Sequence, residues 1–294
     1  YMFQILEKEY DVYAMDSDPK ITLLYKNEKI FTVPDVLDDN FEIVISNIIE
    51  KNKIDFYIAG IDEELLIASK IAKKTSIKTL SPDEIFIEFC LDKFALMDIL
   101  MKNNISTIPT LMGKNYKDNF EYPIFLKPNV GRGSRGIRKI DSLNQYEAYF
   151  ILEEYSKEEV LIQPYIGGDE YTVSVTVNNL NQLLSVVPKI VYTKQGITKY
   201  AKCVHHKQIE DICRLIVDKL KPHGSFNVQL KLKDNKVFIF EINPRFSTTL
   251  VLTMASGVNE IDLAIKNYDK QEVCYIENFK ETKLIRRWES YFYE

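Results

Sequence analysis

Three glycines at the spacing GxGxxG, Gly131, Gly133 and Gly136, sit in KPNVGRGSRGI just after Lys127. Backbone N–H groups in such a loop can turn toward phosphate oxygens without Cβ interference, and the Lys127 ammonium stands where it could meet the same oxygens. A dinucleotide fingerprint would need a helix that begins inside the glycines. Here YPIFLK (122–127) reads as one strand and GIRKI (136–140), alternating apolar and polar, as the next, so the glycines tie a hairpin flap. Protein kinases also cover ATP with a glycine hairpin, but their lysine lies on the strand after the loop, and no HRD or DFG sequence follows here. Taken alone, the glycine pattern fits an ordinary hairpin turn as well as a nucleotide site.

FNVQLKLKDNKVFIFEINPRF (226–246) offers hard oxygen ligands. It reads as two strands joined at Asp234 and Asn235. Residues two apart share a face, which groups Glu241 with Asn243 and Asn227 with Gln229, and a tight hairpin is expected to set Gln229 opposite Glu241. One carboxylate and two amide oxygens suit Mg²⁺, which takes few protein ligands and completes its octahedron with water and phosphate oxygens. Arg245, two residues further on, would bring a fixed cation to the same face. A solvent-facing polar row on an antiparallel sheet would show the same spacing.

The elements that must position these groups fall into two styles. Residues 1 to 80 alternate strand-like runs (Asp11 to Met15, Ile30 to Val33, Asp55 to Ala59) with helical patterns (Met2 to Glu9, Phe41 to Lys51, Asp62 to Lys74), which implies βαβ units and a parallel sheet. Such a sheet normally opens on a strand, so a first strand and its turn are expected ahead of Tyr1. SPDE (81–84) reads as a helix start, with Ser81 as cap, Pro82 at the first helical position and Glu84 closing the capping box; the helix is expected to run to about Asn103. From about Pro109 the pattern turns to hairpins and isolated helices, an α+β style. The stretches 189–208 and 247–259 read as loops.

Composition narrows the class. The 294 residues are 46% hydrophobic, enough for a sizeable core and more than one lobe. A net charge of −5, with the basic residues dispersed, gives a polyanion no continuous stripe, so nucleic acid is not expected as a partner. Cys90, Cys203, Cys213 and Cys274 form no CxxC pair and read as buried reduced thiols; His205 and His206 read as a surface loop rather than a metal site. No apolar run approaches a membrane span, and a cytoplasmic protein is expected.

FNVQ…FEINPRFS, FLKPNVGRGSRGI, LIQPYIGGDEYTV and CLDKFALMDILMKNNISTIPT together resemble the ATP-grasp enzymes, and within them single-lobe proteins similar to half of the carbamoyl phosphate synthase large subunit. The resemblance spans nearly the whole chain. It implies an α/β and α+β chain: a Rossmann-like pre-ATP-grasp domain over 1–80, a linker helix region over 81–113, a small lobe with the glycine flap over 114–166, and a C-terminal antiparallel-sheet lobe with the metal site over 167–294. By the same resemblance Lys93 and Lys127 hold the α- and β-phosphates, and the flap residues Gly131, Gly133, Ser134 and Gly136 close over the β- and γ-phosphates. Gln163, Pro164, Tyr165 and Ile166 resemble the strand that reads adenine, with Gln163 departing from the glutamate many members carry, and Glu170 matches the carboxylate on the ribose hydroxyls. Gln229, Glu241 and Asn243 resemble the Mg²⁺ (or Mn²⁺) ligands, and Arg245 the arginine that steadies the transferred phosphoryl group.

What the resemblance implies as an activity is an ATP-dependent carboxylate–amine ligase acting on small molecules, through an acyl phosphate, with ADP and phosphate released. Motifs do not separate this from a phosphotransferase on the same scaffold, and a non-catalytic nucleotide-binding protein is a third reading. Neither a nucleic acid nor a membrane is an implied partner. Family members often pair as homodimers, which the apolar YFY near the C-terminus could serve.

Overall fold

The computed structural model describes residues 5–24, 29–131, 135–288 and 290. It divides into two compact units, Tyr1–Leu80 with Arg287–Glu294, and Ser81–Arg286. Among the described residues no helix is long and apolar enough to cross a membrane.

The first unit runs β1 (Ala14–Asp16), α1 (Pro19–Leu24), β2 (Ile30–Thr32), α2 (Phe41–Asn52), β3 (Phe56–Tyr57), α3 (Leu65–Lys74) and β4 (Lys78–Thr79). β1 pairs parallel with β2 and β3 parallel with β4, as strands joined by helical crossovers must. α2 buries Phe41, Ile45 and Ile49, four residues apart on one stripe, and ends where Lys53 turns left-handed at φ +54°. The expected helix Met2 to Glu9 lies partly outside the described residues.

The second unit opens with a correction to the helix start. Asp83, not Ser81, is the cap of α4 (Glu84–Leu91), its Oδ1 accepting the Phe86 N–H at 2.9 Å, while Ser81 is buried before the helix. The expected single helix to Asn103 is also two. Asp92 takes an extended conformation (φ −94°, ψ 100°), ends α4 and caps α5 (Lys93–Lys102) by accepting from Ala95 N–H. This break makes Lys93 the first residue of a helix rather than a mid-helix residue.

Next come β5 (Leu111–Met112), β6 (Ile124–Pro128), β7 (Arg138–Ile140), α6 (Leu143–Leu152) and β8 (Val160–Pro164), which form a four-stranded sheet in the order β5-β8-β6-β7. Its core gathers Ile124, Leu126, Ile140, Tyr146, Tyr149, Val160 and Ile162. The large sheet follows: β9 (Asp169–Val177), β10 (Leu183–Gln195), β11 (Ile197–Cys203), α7 (Lys207–Leu220), β12 (Gly224–Lys233), β13 (Lys236–Asn243), α8 (Leu250–Ala255), α9 (Glu260–Tyr268) and β14 (Lys283–Ile285), ordered β13-β12-β9-β10-β11-β14. The stretch read as a loop at 189–208 is therefore mostly sheet, the long β10–β11 hairpin. Val173, Val175 and Val177 of β9 pack with Leu96, Leu100, Ile216 and Val217 of α5 and α7 to form the main core. Cys90, Cys203 and Cys213 are buried; Cys274, expected to be buried, is exposed.

Gly168, at φ +95°, brings the chain into β9 so close to β12 that an added Cβ would lie 2.3 Å from the Leu232 carbonyl oxygen. Both the left-handed backbone and the clash penalise any side chain. Gly168→Ala is expected to cost about 3 kcal/mol and to lower the melting temperature by about 10 °C in thermal denaturation. Gly167→Ala, where nothing stands within 4 Å, should be close to neutral.

Candidate active site

Because β9 turns Tyr171, Val173, Val175 and Val177 into the main core, Glu170, Thr172, Ser174 and Thr176 line its other face. Cross-strand partners on that face form rows. One row reads Lys189, Thr172, Gln229, Glu241 across β10, β9, β12 and β13; the next reads Val187, Ser174, Asn227, Asn243. The Thr172 hydroxyl donates to Asn227 Oδ1 at 2.6 Å. The expected meeting of Gln229 with Glu241, and of both with the face that carries Asn243, is thus present.

A tight hairpin does not by itself produce it. Asp234 and Asn235, at φ +47° and +57°, make the two-residue turn and pair Lys233 with Lys236. Counting outward reaches Leu230 opposite Ile239, and the next pair would be Gln229 with Phe240, which would send Glu241 to the core face. A bulge instead absorbs Phe240 and shifts the register by one, so Gln229 meets Glu241. The bulge has a second effect: the Phe240 carbonyl accepts the Lys127 ammonium at 2.8 Å. Beyond Asn243 the strand ends, and Arg245 lies in the following bend with its N–H on the Asn243 carbonyl and Nη1 on the Phe246 carbonyl. Strand alternation therefore does not carry Arg245 to the face, as the spacing had suggested.

Lys127 and Lys93 are both buried, 4% and 7% exposed. Lys93 Nζ donates to the Gly131 carbonyl at 2.7 Å and to the Asn129 carbonyl at 3.4 Å, and Asn129 Oδ1 accepts the Phe94 N–H, so α5 is docked onto the base of the flap. Burial lowers the Lys127 pKa to about 8; the Glu241 charge opposes that and the neighbouring Lys93 charge adds to it. Two ammonium groups and one carboxylate thus share a region of low polarity.

The flap strands pair antiparallel, Ile124 opposite Ile140 and Leu126 opposite Arg138, so no helix follows Gly136 and a dinucleotide fold is excluded. Gly131 and Gly136 hold φ +135° and +65°; a Cβ on Gly136 would meet the Tyr155 ring at 2.7 Å. Gly133 and Ser134 lie outside the described residues. Gln163 is buried in β8, its Nε2 donating to Thr110 Oγ1 at 2.8 Å, and Pro164 closes that strand. Tyr165 is half exposed with its N–H on the Pro123 carbonyl, and Ile166 leads toward β9. Glu170 is the second residue of β9. Its carboxylate is bracketed by Lys194 at 3.3 Å and Lys231 at 3.1 Å. Burial pushes its pKa up, and the two lysines outweigh burial and hold it below the usual carboxylate range. Lys194 also reaches Gln229 Oε1 at 3.1 Å.

Sequence reasoning missed Lys194, Lys231, Asn129 and the Phe240 carbonyl. Lys231 was within reach, since it is two residues beyond Gln229 on the same strand face. Among the described residues no group of three or more His, Cys, Asp and Glu could hold a metal ion. His205 stacks on Phe279 with centroids 4.0 Å apart, and His206 stands at the N-cap position of α7, its backbone N–H donating to Glu210 Oε1.

Residues 156–290 match a family model described as ATP-grasp in the biosynthetic pathway with Ter operon. The chain is 29% identical to the D-alanine–D-alanine ligase of Petrotoga mobilis over 202 residues, 60% of this chain and 67% of the relative. It is 25% identical to the tyramine–L-glutamate ligase of Methanocaldococcus fervens, covering 87% of this chain and 80% of that one. Against the carbamoyl phosphate synthase large chain of Clostridium acetobutylicum it is 25% identical but spans only 23% of that protein's length. The biotin carboxylase of Campylobacter jejuni, solved with β-γ-ATP, superposes with a TM-score of 0.77 at 16% identity over 95% of this chain and 70% of the other. Sequence kinship and fold agree: residues 156–290 match the ATP-grasp family model, and the chain has the ATP-grasp fold.

Proposed function

We propose that this protein is a Mg²⁺- and ATP-dependent ligase that activates a small-molecule carboxylate as an acyl phosphate for attack by an amine. One observation carries the reading. Lys93 and Lys127 are buried side by side, and their described hydrogen bonds go to backbone carbonyls; two such ammonium groups call for a polyanion. The relatives named as ligases of D-alanine and of tyramine with glutamate support a carboxylate and an amine as the reacting pair.

In this scheme Lys93 and Lys127 meet the α- and β-phosphates, the loop from Gly131 to Gly136 covers the β- and γ-phosphates, residues 163–166 read adenine, and Glu170 takes the ribose hydroxyls. Gln229, Glu241 and Asn243 would hold Mg²⁺, which neutralises phosphate charge when bound. The donor set fits that ion, one carboxylate and two amides on neighbouring positions of one face. The carboxylate oxygen attacks the γ-phosphorus, the bond to the β-phosphate oxygen breaks and ADP leaves. Attack of the amine on the acyl carbon then expels phosphate, and the amine loses its proton. Arg245 would steady the phosphoryl oxygens during both steps.

The test is ATP turnover with pooled amino acids and amines, following ADP and free phosphate together and identifying new masses. Phosphate and an amide mass that require both pools support the ligase. ADP without free phosphate would mean a phosphotransferase. Nucleotide binding with no turnover on any pool would favour a binding protein.

A metal prediction follows from the donor set. With a single carboxylate in the set, the protein alone should bind Mn²⁺ weakly, and ADP should tighten it at least about tenfold by adding phosphate oxygens. Electron paramagnetic resonance of free Mn²⁺ during titration checks this, and tight binding without nucleotide would contradict it.

A further inference from the structure

Lys194 lies where β10 leaves the body of the sheet. β10 pairs with β9 only as far as Val191 opposite Glu170; beyond it, through irregular steps at Thr193 and Lys194, it pairs with β11 alone. Residues 192–197 are exposed and turn at Gly196, φ +67°. Among the described residues, Lys194 ties this two-stranded arm back to the site, its Nζ bonding both Gln229 Oε1 (3.1 Å) and Glu170 Oε1 (3.3 Å). Lys231 keeps the other Glu170 oxygen at 3.1 Å.

We propose that Lys194 is a latch that stands in for the metal: its ammonium holds Gln229 and Glu170 until Mg²⁺ and nucleotide arrive, and their arrival releases the β10–β11 arm. The inference rests on the reading of Gln229 as a metal ligand and Glu170 as a ribose ligand. An ammonium and a divalent cation cannot share one amide oxygen, since like charges repel at contact distance. Glu170, when its Oε1 turns to a hydroxyl, likewise gives up its bond to Lys194. The described ion pair of Lys231 is to Glu170 Oε2 and does not involve Gln229, so it can stay and keep that carboxylate placed. Metal binding therefore competes with the latch, and the arm gains freedom when the competition is won.

Removing the competitor should strengthen metal binding. In the presence of ADP, Lys194→Met is expected to bind Mn²⁺ about tenfold more tightly than wild type, read by electron paramagnetic resonance. Lys202→Met, which changes the same charge on the same sheet away from the site, should shift it less than twofold. In hydrogen exchange, residues 192–200 of wild type should exchange faster once Mn²⁺ and ADP are added, whereas in Lys194→Met they should be fast from the start. Unchanged or weaker Mn²⁺ binding in a Lys194→Met protein that melts like wild type overturns the latch and leaves the ligase reading standing. A wild type that binds neither Mn²⁺ nor ADP overturns both.

Discussion

Glu241→Gln is expected to reduce ATP turnover by about a thousandfold or more while the protein stays folded. The carboxylate is the one full negative charge among the three proposed metal ligands, and losing it removes a charge contact worth several kcal/mol at the moment of phosphoryl transfer. At 1.36 kcal/mol per factor of ten, that is about three decades in rate. The substitution keeps the shape of the side chain, and the β12–β13 register is set by the bulge and the turn rather than by that charge, so the melting temperature should move by no more than about 2 °C. Steady-state turnover with purified variant and thermal denaturation decide the matter. Normal turnover would remove Glu241 from the metal site and with it the ligand assignments of Gln229 and Asn243. A second consequence separates loss of charge from misfolding: Glu241 opposes the depression of the Lys127 pKa, so the variant's Lys127 should titrate lower than the wild type's.

How much of this could be read in the sequence depended on how local the signal was. The flap hairpin, the helix Phe41–Asn52 and the turn at Asp234–Asn235 are local features, and alternation or capping residues mark them directly. Placing Gln229 opposite Glu241 was right for an incomplete reason. The bulge at Phe240 that makes it so has no side-chain signature, and the group its carbonyl meets, the Lys127 ammonium, comes from another sheet. The helix break at Asp92 was legible in principle, since Asp is a strong N-cap, but Leu91 and Phe94 continue an apolar pattern that reads straight through it. Lys194 was hidden by distance: it meets a residue 24 positions earlier and another 35 positions later, and only the folded hairpin brings all three together. Burial of Lys93 was unreadable for the same reason, as its partners lie on the flap.

Nucleotide affinity and fold stability should respond to alkaline pH in opposite directions, and Lys127 is the cause. Its ordinary pKa of 10.5 falls to about 8 in the folded protein, chiefly through burial. Between about pH 8 and pH 10.5 the unfolded chain keeps the proton that the folded chain has lost. The unfolded state then binds more protons, so the stability contributed by this group rises with pH across that window, by up to about 1.4 kcal/mol per unit, and is lost again as pH falls from about 10.5 to about 8. ADP needs the charged form. Above pH 8 its binding must draw in a proton, so affinity should fall about tenfold per pH unit. Lys127→Met should abolish both slopes and weaken ADP binding about ten- to a hundredfold at pH 7, the worth of a charge-assisted hydrogen bond. Its unliganded stability should not fall with the lost charge, since a buried ammonium whose described hydrogen bond goes to a backbone carbonyl is replaced by an apolar chain of similar length. Calorimetric titration of ADP from pH 7 to 9.5, paired with urea unfolding over the same range, measures both slopes. Parallel rather than opposed slopes would show that another group governs the alkaline response and that the Lys127 ammonium does not face the phosphates.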